Sequence, residues 1–253
     1  DLENNISVAA LDKLQPPQAL PVGDINHPWN EIYKFDGEEL QAKWLELLNN
    51  HKTSDTRAKQ NNETHFRLIA DFSQGPVEGW FTDGQGIEYL TRPGAFTLQQ
   101  GDQFINALML PGIATSNLST KLNGALRSPL ASNIDGFFLH ALAAGGDFAA
   151  HRTVIDNAFL CEKQSFYSND RYQWKVVNLH KGEPKRRTYA EWATKSSNPN
   201  FPPRWGLARE INEEVEKSPH SWFSVSKVYY SQGPTAPQKR LTAFIELLES
   251  GSP

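Results

Sequence analysis

Ser132 to Cys161 reads SNIDGFFLHALAAGGDFAAHRTVIDNAFLC, the longest apolar tract in the chain, with Gly145-Gly146 near its middle. Leu, Ala and Phe dominate both halves, so each half reads as a helix. The glycine pair reads as a joint, because glycine enters positive φ without steric cost. Folded back antiparallel, the halves would set His140 opposite His151, with Asp147 and Arg152 close by. Histidine titrates near neutral pH, so His140, His151, Arg152 and Asp147 form the expected catalytic set of a hydrolase or secreted effector enzyme. The same imidazoles with Asp147 or Asp156 would suit a divalent metal. No short-spaced ligand motif such as HExxH is present, so metal and cofactor stay unassigned. The plainer expectation is one imidazole hydrogen-bonded inside a packed interface and the other solvated.

Strand patterns flank this tract on both sides. Upstream, Phe66–Phe72, Gly79–Phe81, Ile87–Leu90 and Gly94–Leu98 carry β-branched and aromatic residues, and Asp83-Gly84 is a strong hairpin dipeptide. Asp102 to Leu110 fits a strand or a short helix. Leu118, Leu122 and Leu126 at i, i+4 and i+8 predict a further helix, closed by Pro129. Downstream, Tyr172–Leu179 and Ser221–Tyr230 read as strands, Leu207, Ile211 and Val215 as a helix, and Leu241, Phe244, Ile245 and Leu248 as a last helix. Near the start, DGEELQAKWLELLN over 36–49 places Leu40, Trp44, Leu47 and Leu48 on one face, with acids in the first turn. Residues 50–64 are polar and read as a mobile loop, and proline-rich residues 1–30 as an extended arm. Strands cluster before and after a helical block instead of alternating with helices. The expected fold is therefore α+β, a single domain over 1–253 with a mostly antiparallel sheet packed against a central helical block.

Composition narrows the function classes. The 253 residues include seven Trp, seven Tyr and fourteen Phe, enough for a core with rings to spare for ligand contact. A net charge of −4 argues against generic nucleic-acid binding by the whole chain. From Lys175 to Arg209, however, eight cations face two carboxylates, a local excess of six. No apolar run reaches membrane-spanning length, and the single cysteine, Cys161, rules out an intrachain disulfide. The chain starts at Asp1 with no leader pattern, which reads as a mature form from an extracytoplasmic compartment or a trimmed piece.

The second candidate is the basic arm at 180–205. Lys185, Arg186, Arg187 and Tyr189, followed by Trp192 and Trp205, interleave cations with aromatics, the mix that engages phosphates and stacks on bases or sugars. Trp29, Trp80, Trp174 and Trp222 lie in contexts that also suit sugar stacking. Cys161 sits at the end of an expected helix, where the dipole raises a thiol pKa, so with or without His180 it reads as inert. Asp83-Gly84-Gln85-Gly86 lacks the further ligands of a calcium or phosphate loop. The sequence therefore favours a binding or interaction protein whose basic and aromatic arm meets a polyanion, glycan or protein partner. The hydrolase built on His140 and His151 is the alternative.

Overall fold

In the computed structural model, which describes residues 31–32, 34–92, 96–97, 107–134, 136–158, 164–168, 170–179, 186–202 and 213–250, the tract at 132–161 carries β-strands in place of helices. The described elements run α1 (Gly37–His65), β1 (Arg67–Asp71), β2 (Phe81–Asp83), β3 (Glu88–Leu90), β4 (Phe96–Thr97), β5 (Ala107–Leu108), β6 (Gly112–Ala114), β7 (Ala125–Arg127), β8 (Phe138–Gly146), β9 (Ala150–Ile155), β10 (Gln164–Phe166), β11 (Asp170–Asn178), β12 (Thr188–Ala193), α2 (Glu213–Lys217), β13 (Trp222–Ser231) and α3 (Thr242–Ser250). The chain divides into two compact units, residues 65–237 and residues 1–64 with 238–253.

Residues 65–237 form two antiparallel sheets. One has the order β11-β8-β13-β6-β3, with β1 also paired to β13, and the other has the order β10-β9-β12-β7-β2. A short β4-β5 pair stands apart. The two sheets share one core. Leu139, Ala141, Ala143, Val177, Phe223 and Val225 come from the first, and Leu126, Ala190 and Trp192 from the second. The expected mostly antiparallel sheet is present. The expected central helical block is not, because helices are few among the described residues and no α-helix lies in the described part of the tract that was to supply it.

The apolar pattern of β8 explains the difference. Leu139, Ala141 and Ala143 face the shared core, while Ala144 packs on the opposite side with Leu90, Met109, Ala114 and Trp222. A strand covered on both faces loses the alternation that marks a strand in sequence and reads as a continuous apolar run, which cannot be told from a buried helix by periodicity. Gly145 belongs to the strand as well. A Cβ there would lie 2.7 Å from the Tyr167 ring and 3.0 Å from the Trp222 carbonyl, so glycine serves close packing and not a hinge.

The sharp reversals are real, but they join sheets. At the end of β8, Asp147 (φ 52) and Phe148 (φ 61) make a tight turn closed by Ala149 N–H donating to the Gly146 carbonyl at 3.1 Å. β8 then gives way to β9 in the other sheet. Asp83-Gly84 behaves in the same way: β2 and β3 lie in different sheets, and Gly84 at φ 99 passes against Asn123, where a Cβ would come within 2.5 Å of the carbonyl oxygen. The helix expected from Leu118, Leu122 and Leu126 is a loop followed by β7, with Leu118 exposed and Leu126 in the core. Leucines at helical spacing here serve different surfaces.

The other unit holds α1 and α3. Trp44, Leu47, Ile32 and Leu248 form its core, and the Trp44 indole N–H donates to the Leu248 carbonyl at 2.9 Å. Residues 50–64, expected as a loop, continue α1 to His65. The polar stretch is held by tertiary contacts that its composition does not reveal. The Asp55 carboxylate accepts from Arg240 Nε (2.8 Å), Arg240 Nη2 (2.7 Å) and the Leu241 amide (2.6 Å), joining α1 to the start of α3. Asn62 bonds Gln238 through both ends of its amide, at 2.8 Å each. Residues 1–30 lie outside the described set.

Candidate functional site

Strand register places Phe81, Arg127, Glu191, Arg152 and Gln164 in one row across the outer face of the β10-β9-β12-β7-β2 sheet. Glu191 is the centre of that row. Its Oε1 accepts from Arg127 Nε at 2.7 Å and its Oε2 from Arg152 Nε at 2.5 Å, with Arg152 Nη2 also paired to Oε2. Glu191 and Arg152 are 2% and 5% exposed, whereas the Arg127 side chain is 34% exposed. A carboxylate gripped by two guanidinium groups at these exposures fixes three strands in register. At 5% exposure the Arg152 guanidinium is committed to that grip.

The loops at one end of the sandwich converge. Thr194 N–H donates to Gly124 O at 2.9 Å, Ser221 N–H to Thr120 O at 2.8 Å and Gly86 N–H to Asn123 O at 2.8 Å, which ties three connections to the β6–β7 loop, and Tyr167 N–H donates to Ala149 O at 2.7 Å, which ties the β10–β11 connection to the β8–β9 turn. Phe148 emerges there from the sheet-to-sheet turn. Its ring lies 5.9 Å from Phe166 and 5.8 Å from Phe201, and those two are 6.4 Å apart, all in tilted or edge geometries. The three side chains are half-buried. A left-handed backbone suits Asp147 but is uncommon for a bulky residue such as Phe148 and costs about 1–2 kcal/mol. The equivalent turn after β9 uses Asp156 and Asn157, residue types that tolerate that conformation.

Polar groups frame the rings. Asn198 Nδ2 donates to Gln164 Oε1 at 3.2 Å, and Asn198 Oδ1 accepts from the Asn200 amide at 3.0 Å, which holds the 198–202 loop over the sheet beside Phe166. Lys195 Nζ donates to Val215 O at 3.0 Å and lies 5.5 Å from the Phe201 ring centroid. Burial pushes the Lys195 amine below its ordinary pKa, partly opposed by the Asp147 carboxylate. Cation and anion thus offset each other within the cluster.

The residues singled out in the sequence scatter over this framework. His140 and His151 lie on strands of different sheets and are not brought together. His140 is fully buried, edge-on to Phe66 at 5.2 Å, with Nε2 2.7 Å from Ser231 Oγ. The Ser231 hydroxyl donates to Gly233 O at 2.7 Å, so it accepts from His140 Nε2–H, and the imidazole is no base toward that serine. Burial holds the His140 pKa below its usual value. His151 faces the core edge-on to Tyr167 at 5.4 Å, Asp147 stands in the turn beside Phe148, and Arg152 belongs to the Glu191 grip. Among the described residues, no group of three or more His, Cys, Asp or Glu side chains is gathered as a metal ion requires.

The basic arm divides in the same way. Arg186 and Arg187 are exposed at the start of β12, where the Arg187 amide donates to Asp156 Oδ1 at 2.9 Å. Tyr189 is half-buried on the outer face, and burial raises its phenol pKa. Trp192 points the other way and is wholly buried against Trp80 in the core. Lys185, Trp205, Cys161 and His180 lie outside the described residues. The sequence pattern draws no attention to Phe166 and Phe201, and it offers Phe148 only as an apolar residue on one side of an expected helix. Only the Pro-flanked NPNFPP run over 198–203 hinted at a rigidly presented ring.

No protein-family model matches the chain, and no curated protein matches it. Among solved structures, the K1 cleaved adhesin domain of Lys-gingipain from Porphyromonas gingivalis W83 is similar over 66% of this chain and 98% of its own, at 11% identity and a TM-score of 0.31. The K3 cleaved adhesin domain of the same protein is similar over 66% of this chain and 100% of its own, at 11% identity and a TM-score of 0.32. Likeness at that level transfers no function. Among the described residues, no helix is long and apolar enough to cross a membrane.

Proposed function

We propose that this chain is a binding module whose ligand surface is the loop end of the β-sandwich, centred on Phe148, Phe166 and Phe201. One observation carries the reading: Phe148 is held in a left-handed conformation, in a turn between sheets, to complete a ring cluster that remains half-exposed. Strain of that kind is more than packing alone calls for, since a residue tolerant of positive φ would close the turn, and strained residues concentrate at ligand-contacting positions. Loops held by a rigid sheet are also where binding residues gather. Within the basic and aromatic arm, this reading moves the contact from Arg186, Arg187 and Trp192 to its far end, around Lys195 and Phe201. The hydrolase alternative has no observation in its favour, because His140 and His151 sit in separate sheets with separate neighbours.

The test compares the protein with a Phe166→Ala/Phe201→Ala variant on one array of glycans, polyanions and peptides. Melting curves establish that both are folded. Loss of array binding in a folded variant supports the reading, and binding retained by that variant contradicts it.

A further inference from the structure

Resting on that binding surface, we propose that its ligand is a neutral polysaccharide, stacked on Phe148, Phe166 and Phe201 and read at its hydroxyls by neighbouring amide groups. Three features of the site select this chemistry. The rings form a cluster at mutual separations of 5.8 to 6.4 Å and are only partly buried, so the cluster is open to solvent and is not a closed core. Aromatic faces carry negative quadrupole charge, which complements the C–H faces of pyranose rings.

Two of the polar neighbours, Gln164 and Asn198, are uncharged amides. Gln164 is half-buried beside Phe166, and its Oε1 already accepts from Asn198 Nδ2, so its own NH2 group is oriented by a fixed partner. A carboxamide both donates and accepts, as does a sugar hydroxyl, and matches it better than a formal charge does. Few, well-oriented polar groups among aromatic ones are the usual make-up of a small-molecule site.

The charge balance then argues against a polyanion. Lys195 is 8% exposed, its amine is engaged by Val215 O, and its charge is opposed by Asp147. The exposed Arg186 and Arg187 stand beyond the opposite end of β12, a six-residue strand, and so about 20 Å away. A ligand held by counter-charges would need cations beside the rings, and its affinity would fall steeply with salt. Arg186 and Arg187 thus stand at the other end of the sheet from the rings.

The experiment is affinity electrophoresis followed by calorimetry with xylan, mixed-linkage β-glucan, galactomannan, heparin and alginate, run on the whole chain. The expected result is binding to at least one neutral polymer. Its affinity should change less than about twofold between about 50 and about 500 mM NaCl, whereas phosphate-like or sulfate contacts would lose far more. Phe166→Ala and Phe201→Ala, each folded by its melting curve, should each weaken that binding by roughly tenfold. Arg186→Gln/Arg187→Gln should leave it unchanged. Binding only to heparin or alginate, with a steep salt dependence yet still lost in Phe201→Ala, overturns the neutral ligand and leaves the binding surface standing. Failure of every polymer to bind also overturns the neutral ligand. Polymer binding that survives both phenylalanine variants overturns the ligand and the surface together.

Discussion

Replacing Glu191 by Gln removes the charge that two arginines share on the outer face of the β10-β9-β12-β7-β2 sheet. The two bonds differ in surroundings. Arg152 and Glu191 are almost wholly buried, whereas the Arg127 side chain is about a third exposed. Breaking a buried ion pair by deleting one partner costs about 3–5 kcal/mol, whereas a partly exposed pair is screened to about 1 kcal/mol or less. Glu191→Gln should therefore lose about 3–5 kcal/mol, a large share of a typical domain's stability of about 5–15 kcal/mol. Arg127→Ala should lose about 1 kcal/mol and Arg152→Ala about 3–5 kcal/mol. Joint replacement of Glu191 and Arg152 by Leu should recover most of the loss, because buried pairs seldom outperform apolar packing. Urea unfolding followed by tryptophan fluorescence measures each variant, and the double-mutant cycle isolates the pair. Equal costs for Arg127→Ala and Arg152→Ala, or a Glu191→Gln cost below about 1 kcal/mol, would refute the claim that burial sets the strength of the grip.

Gly145→Ala should cost about 1–3 kcal/mol, because its Cβ would sit 2.7 Å from the Tyr167 ring and 3.0 Å from Trp222 O; a neutral substitution in thermal unfolding would show that the strands part there readily. The His140 pKa is depressed by burial, so the unfolded chain takes up a proton near pH 6.5 that the folded chain refuses. Stability is then complete above about pH 6.5 and falls as pH drops below it, and His140→Gln should flatten that slope in pH-dependent denaturation; an unchanged slope counts against the assignment. Asp55 has its pKa lowered, first by the Arg240 hydrogen bonds, so it stabilises the folded chain above about pH 4 and that contribution fades at lower pH. Asp55→Asn should loosen α3, seen as faster amide exchange at Leu241, and unaltered exchange would contradict the role assigned to the carboxylate.

The sequence disclosed the strands β1, β3, β11 and β13, but not the short β6, β7 and β10 or the β12 strand inside the basic arm. It misled where a strand was covered on both sides: β8 lacks alternation because Leu139 and Ala141 meet one layer and Ala144 another. Turn dipeptides announced reversals at Asp83-Gly84 and beside Gly145-Gly146, but nothing local tells a hairpin from a crossing between sheets. The polar end of α1 was hidden for a different reason, since Asp55 and Asn62 find their partners almost two hundred residues away. The candidate site was legible only in fragments. Asp147 was noticed for its charge and not for the ring beside it, while Phe148, Phe166 and Phe201 are separated in sequence and meet only because the crossing, β10 and the 198–202 loop end at one place. Trp192, the better signal by residue type, is core.

The most direct test of the binding surface is an NMR titration of the phenylalanine-labelled protein with an oligosaccharide of whichever neutral polymer it binds. The account predicts that the ring signals of Phe148, Phe166 and Phe201 shift together and saturably. Saturable shifts confined to other phenylalanines, with these three unmoved, would contradict it.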